Sequence, residues 1–61
     1  MPIVQVHLLE GRTDAQKRAM VKAVTEALVA TIDTKAEKVR IIVDDMARDH
    51  YAIGGKMVDE T

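Results

Sequence analysis

The sequence predicts an α/β chain: a single βαβ unit with parallel strands, followed by a short C-terminal hairpin and completed by oligomerisation. Three observations carry this expectation. Two apolar, β-branched runs, residues 3–9 and 39–43, stand about 29 residues apart, with a capped amphipathic stretch between them. A spacing of that size suits a helical crossover, and such crossovers are right-handed and join parallel strands. The chain has only 61 residues, and one helix covers one face of a sheet whose two faces both need cover.

Residues 3–9, Ile-Val-Gln-Val-His-Leu-Leu, form the first expected strand. Val4, Val6 and Leu8 make one fully apolar face; Ile3, Gln5, His7 and Leu9 make a mixed one. Both faces are therefore expected to meet protein. Glu10-Gly11-Arg12 breaks the strand. Thr13 and Gln16 match a capping box, and Asp14 in the first turn suits the helix dipole. The helix is expected over residues 14–32, with Met20, Val24, Ala27, Leu28 and Ile32 as its buried stripe. Lys17, Arg18, Lys22 and Glu26 read as its solvated face. Val39 to Val43 is the second strand, with Arg40 inside it between Val39 and Ile41, and Asp44-Asp45 at its end. Gly54-Gly55 between short apolar stretches signals a hairpin turn. A two-stranded hairpin is unstable alone, so it is expected to lean on a neighbouring copy. No linker or internal repeat divides the chain, and residues 1–61 read as one domain.

Composition narrows the function. A domain of this size buries only about 60% of its unfolded surface, and the usual supports are disulfides, metals or association. Cysteine is absent, and the two histidines, His7 and His50, lack metal-ligand spacing. Association remains, and 48% hydrophobic residues in so short a chain supports it. Nine basic and ten acidic residues leave a net charge of −1, with no basic stripe for nucleic acid. No apolar run approaches the roughly 18 residues of a membrane span, and no signal-peptide pattern opens the chain. A soluble cytoplasmic protein is the expectation.

Four residues can carry chemistry. Pro2 by itself reads as the residue that opens a strand, where proline is tolerated. With Met1 removed, it would also be a free secondary amine, which serves as a general base when its pKa lies near the working pH. Aminopeptidases remove methionine before small residues, and proline permits it; with Met1 attached the nitrogen is an amide without basicity. Arg12 sits at the glycine break. Arg40 either pairs with an acid such as Asp44 or offers a fixed fork for a substrate carboxylate. Tyr51, the only aromatic residue, either packs at an interface or lines a site. Serine and cysteine are absent, so no such nucleophile–base pair exists.

Taken in order, Met1-Pro2-Ile3, Leu9-Glu10-Gly11-Arg12-Thr13-Asp14, Gln16-Lys17, Val39-Arg40 and His50-Tyr51-Ala52-Ile53-Gly54-Gly55 resemble the short tautomerases typified by 4-oxalocrotonate tautomerase. The resemblance spans nearly the whole chain without obvious gaps. It implies the tautomerase fold and a keto–enol isomerase acting on a small 2-hydroxydienoate such as 2-hydroxymuconate, without metal or cofactor. It implies Pro2 as general base, Arg12 on the remote carboxylate, and Arg40 on the 2-oxo and adjacent carboxylate oxygens. Leu9 and Tyr51 are implied as further substrate contacts. It also implies a homo-oligomer, a hexamer built as a trimer of dimers, with sites shared between subunits. Tyr51 stands where the prototype has phenylalanine, and Ala52 where it has glycine; both bear on substrate preference more than on chemistry. Two other readings accompany it: hydration or dehalogenation of unsaturated acids on the same scaffold, with the proline as a protonated acid, and a non-catalytic oligomeric binding module.

Overall fold

The computed structural model describes residues 1–60, without the side chain of Glu60. The first strand, β1, runs Ile3–Leu9; the helix, α1, Asp14–Ile32; the second strand, β2, Arg40–Met46. A hairpin of β3 (Ala52–Ile53) and β4 (Lys56–Met57) follows, and single 3-10 turns occupy Ala36–Lys38, Arg48–His50 and Val58–Glu60. β1 and β2 are parallel, in register from Ile3 opposite Arg40 to Leu9 opposite Met46. The βαβ unit and hairpin are those expected from the sequence.

Local chemistry sets the boundaries. The Thr13 hydroxyl accepts from the Gln16 N–H at 3.1 Å, and the Gln16 side chain accepts from the Thr13 N–H at 2.9 Å. This reciprocal cap satisfies two otherwise orphaned donors. At the other end Asp33 adopts the left-handed conformation (φ 56°), which Asp tolerates better than most residues. In the hairpin, Gly54 and Gly55 both have positive φ, as a two-residue loop between twisted strands requires. The Val58 N–H closes the hairpin on the Tyr51 carbonyl at 2.8 Å.

Several expectations are corrected. The helix face turned to the sheet carries Lys17, Met20, Val21, Val24, Thr25 and Leu28, all half-buried, at the spacing of one helical stripe. Ala27 and Ile32 are exposed. The expected stripe has Ala27 and Ile32 where the observed face has Lys17, Val21 and Thr25, two of them polar. Lys17 is not on the solvated face: its ammonium donates to the Asp45 carboxylate at 2.9 Å, with Asp14 at 3.7 Å. Thr25 returns its hydroxyl to the Val21 carbonyl at 2.8 Å, which removes the cost of half-burying it. Ile32 overhangs because 19 helical residues span about 28 Å, whereas seven strand residues span about 23 Å.

β2 also differs from its expected range. It begins at Arg40, so Arg40 opens the strand, and it continues through Asp44 and Asp45 to Met46. The two aspartates face opposite sides, as adjacent strand residues must. Asp45 meets Lys17 on the helix side, and Asp44 meets His7 on the open side, Nδ1 to Oδ2 at 3.1 Å. Asp44 is thus the partner of His7 and not of Arg40.

No described residue is fully buried. Val4, Val6 and Leu8 of β1 and Ile41 and Val43 of β2 sit half-buried beneath α1. The open face presents Ile3, Gln5, His7, Arg40, Ile42 and Asp44, with Ile3 and Ile42 each 52% exposed. The radius of gyration is 14.5 Å, against about 10.5 Å for a compact domain of this length. A single chain is one helix laid on two strands with a projecting hairpin, and it closes no core.

Candidate active site

Pro2 immediately precedes β1, and its carbonyl accepts the Arg40 N–H at 3.0 Å. The parallel register therefore joins the backbones of Pro2 and Arg40. The Arg40 side chain is exposed and donates one bond, Nη1 to the Glu37 carbonyl at 2.8 Å. A guanidinium has five N–H donors, so this contact anchors it with four remaining. The carbonyl belongs to the Ala36–Lys38 turn, which leads straight into Arg40. Met1 is 74% exposed.

Arg12 and Leu9 lie at the far end of β1. The Glu10 N–H reaches the Met46 carbonyl at 2.8 Å, so the two strands finish side by side. Gly11, at φ 121°, then turns the chain as only glycine does easily. Arg12 lines two adjoining clefts. One, of about 180 Å³, runs between Leu8 and the start of α1 at Gln16, Lys17 and Met20. The other, of about 400 Å³, is bordered by Leu9, Arg12 and Arg48. Arg48 was not singled out from the sequence. Only the joint ending of β1 and β2 reveals it, because 35 intervening residues hide its proximity to Arg12.

Within one chain, then, Pro2 is joined to Arg40, and Leu9 to Arg12. The two groups stand at opposite ends of β1, about 20 Å apart along the strand. Tyr51 is 42% exposed and lies between the Arg48–His50 turn and β3; it borders neither cleft. No helix among the described residues is long and apolar enough to cross a membrane.

A perturbed titrating group lies beside the smaller cleft. The hydrogen bond from Lys17 to Asp45, with the charges of Asp45 and Asp14, holds the ammonium above its ordinary 10.5 despite opposing desolvation. Lys17 thus remains a cation at neutral pH and fixes the first turns of α1 against β2.

The βαβ unit of parallel strands with a trailing antiparallel hairpin is a fold shared with a class of small enzymes. The family model described as "Tautomerase enzyme" matches residues 2–61, beginning at Pro2. A probable tautomerase of Halalkalibacterium halodurans is 48% identical over 60 residues, covering 98% of each chain. The 2-hydroxymuconate tautomerase of Bacillus subtilis is 47% identical, covering 98% of this chain and 97% of that one. Among solved structures, YwhB, a homologue of 4-oxalocrotonate tautomerase, superposes with a TM-score of 0.93 at 45% identity over 98% of both chains. A heterohexameric 4-oxalocrotonate tautomerase of Chloroflexus aurantiacus superposes at 0.90 with 30% identity, over 98% of this chain and 97% of that one. The chain belongs to the tautomerase family and is an isomerase with the 4-oxalocrotonate tautomerase fold.

Proposed function

We propose that this tautomerase converts a 2-hydroxydienoate of the 2-hydroxymuconate type to the conjugated 2-oxo acid, with Pro2 as general base after removal of Met1. The carrying observation is the bond from the Arg40 N–H to the Pro2 carbonyl, which sets a cation-bearing residue beside the one whose nitrogen is to act. The Pro2 amine takes the proton of the 2-hydroxyl group. The electrons shift through the conjugated system, and the proton returns to a chain carbon, leaving a carbonyl at C2. Arg40 engages the 2-oxo and adjacent carboxylate oxygens, where negative charge develops. Arg12 holds the remote carboxylate, and Leu9 and Tyr51 supply apolar contact. Nearby cations also keep the amine neutral at lower pH. The exposure of Met1 favours its removal, as does a family match that starts at Pro2.

A small dienoate does not span the length of β1, so Pro2 and Arg12 of one chain do not serve the same substrate molecule. The site is instead assembled from copies of the chain. That no described residue is fully buried in a single chain and that a relative is a heterohexamer support an oligomer, which we place as a homohexameric trimer of dimers. We assign residues 1–61 to one domain and the enzyme to the cytoplasm, a placement that fits a chain free of cysteine.

The test pairs intact mass with ketonisation of 2-hydroxymuconate across pH. Activity confined to Met1-free protein, rising through one group near or below neutrality, is the expected result. Met1-free protein inactive on this and related enols would overturn the proposal. Activity on unsaturated acids that instead falls through that group would assign the amine as an acid, in a hydration or dehalogenation.

A further inference from the structure

The ends of β1 and β2 bring together a second pair of arginines. Leu9 is in register with Met46, and the Glu10 N–H ties the strand ends at 2.8 Å. Arg12 follows Leu9 by three residues, around the turn at Gly11; Arg48 follows Met46 by two and opens the 3-10 turn Arg48–His50. Both arginines consequently border the cleft of about 400 Å³, with Leu9 as an apolar border. Among the described residues neither Arg12 nor Arg48 makes a side-chain hydrogen bond or ion pair. Glu10 also borders the cleft but lies outside ion-pair distance of both. Asp49, next to Arg48 in the chain, is turned to His50 at 3.8 Å.

Two guanidinium groups beside one cleft repel each other, and one unengaged carboxylate leaves their charge in excess. An added carboxylate relieves both conditions: each of its oxygens accepts more than one N–H, and a guanidinium fork matches its geometry. Its bonds strengthen where an apolar side chain such as Leu9 reduces access of water. We propose that Arg48 is a second substrate-binding residue, which with Arg12 holds the remote carboxylate and makes the enzyme select dicarboxylate over monocarboxylate enols. The inference rests on the assignment of Arg12 to that carboxylate. Because Arg12 and Arg48 belong to the same chain and leave the same sheet end, they act as one unit whichever copy supplies Pro2.

The experiment compares wild-type, Arg48→Ala and Arg48→Lys Met1-free proteins on 2-hydroxymuconate and on the monocarboxylate 2-hydroxy-2,4-pentadienoate. A charged hydrogen bond of ordinary strength predicts a roughly ten- to hundred-fold rise in KM of Arg48→Ala for the dicarboxylate. The KM for the monocarboxylate should be unchanged, and Arg48→Lys should fall between, keeping charge but losing the fork. Equal effects on the two substrates, or no effect on either, would overturn the assignment. Calorimetric titration with cis,cis-muconate provides a readout independent of turnover, and Arg48→Ala should weaken it by a similar factor. Muconate binding that is unmeasurable in wild type, or indifferent to Arg48, overturns the inference even if both enols are turned over. Binding that depends on Arg48 in a protein that ketonises neither enol sustains the inference while the proposed reaction fails.

Discussion

Arg12 and Arg40 differ in what they would meet during a reaction, and their variants should differ accordingly. In the proposed reaction Arg12 would face a carboxylate whose charge is the same in the ground and transition states. Arg12→Ala should therefore raise KM for a dicarboxylate by roughly ten- to hundred-fold and leave kcat nearly unchanged. In the same reaction Arg40 would face oxygens on which charge accumulates. Arg40→Ala should lower kcat by about a hundred-fold or more, as loss of an oxyanion-stabilising donor does. Steady-state kinetics on 2-hydroxymuconate separate the two cases, and an Arg40→Ala enzyme with wild-type kcat and KM would remove Arg40 from the mechanism. These residues were picked out of the chain by the ordered set of motifs that carries the family resemblance, Gly11-Arg12 and Val39-Arg40 among them, since each arginine alone also reads as structural. Arg48 was not legible, since nothing in Ala47-Arg48-Asp49 shows that the segment leaves the sheet beside Arg12.

At the scale of elements, α1 is held by its cap and by one ion pair to the sheet. Thr13→Ala removes the hydroxyl that accepts the Gln16 N–H and should cost about 1 kcal/mol, read as a lower Tm at fixed protein concentration. The Lys17 ammonium, bonded to Asp45, titrates above its ordinary 10.5. Folding thus favours the charged form. This stabilisation is fully present below that value and lost as pH rises through the higher folded-state pKa. The Tm difference between wild type and Lys17→Met should stay constant from neutral pH to about 9 and shrink above about 10.5. A difference that fades between pH 7 and 9 would show that another group carries it. The cap and both helix ends could be read from Thr13, Gln16 and Asp33, because capping is local chemistry. The half-buried stripe was misplaced in part by its polar members, Lys17 and Thr25, whose partners Asp45 and the Val21 carbonyl are supplied by folding.

For the whole molecule, the decisive property is that a chain with none of its described residues fully buried has little to hold it folded alone. Assembly and folding should then be one process, with stability dependent on concentration. Ile42, half-exposed on the open sheet face, offers the simplest probe. Ile42→Glu would place a charge where a second copy must pack, and an unpaired buried charge is strongly unfavourable. Sedimentation velocity should show loss of the oligomer, and circular dichroism should show loss of helix in parallel. A helical, stable Ile42→Glu monomer would contradict this coupling. The same face carries the His7–Asp44 pair, so a covering copy must also accommodate that polar contact.

The sequence by itself determined the order and type of the strands and the helix, the capping box and the glycine hairpin, and it argued for other copies. Each follows from local propensity, from hydrophobic period, or from counting residues against surface. Tertiary structure alone decided which residues meet across long separations. Arg40 is bonded to Pro2, Lys17 to Asp45 and His7 to Asp44, and Arg48 shares a cleft with Arg12. Those meetings depend on the register of two parallel strands, which is set when both strands pack under one helix and is written in no short stretch of the chain.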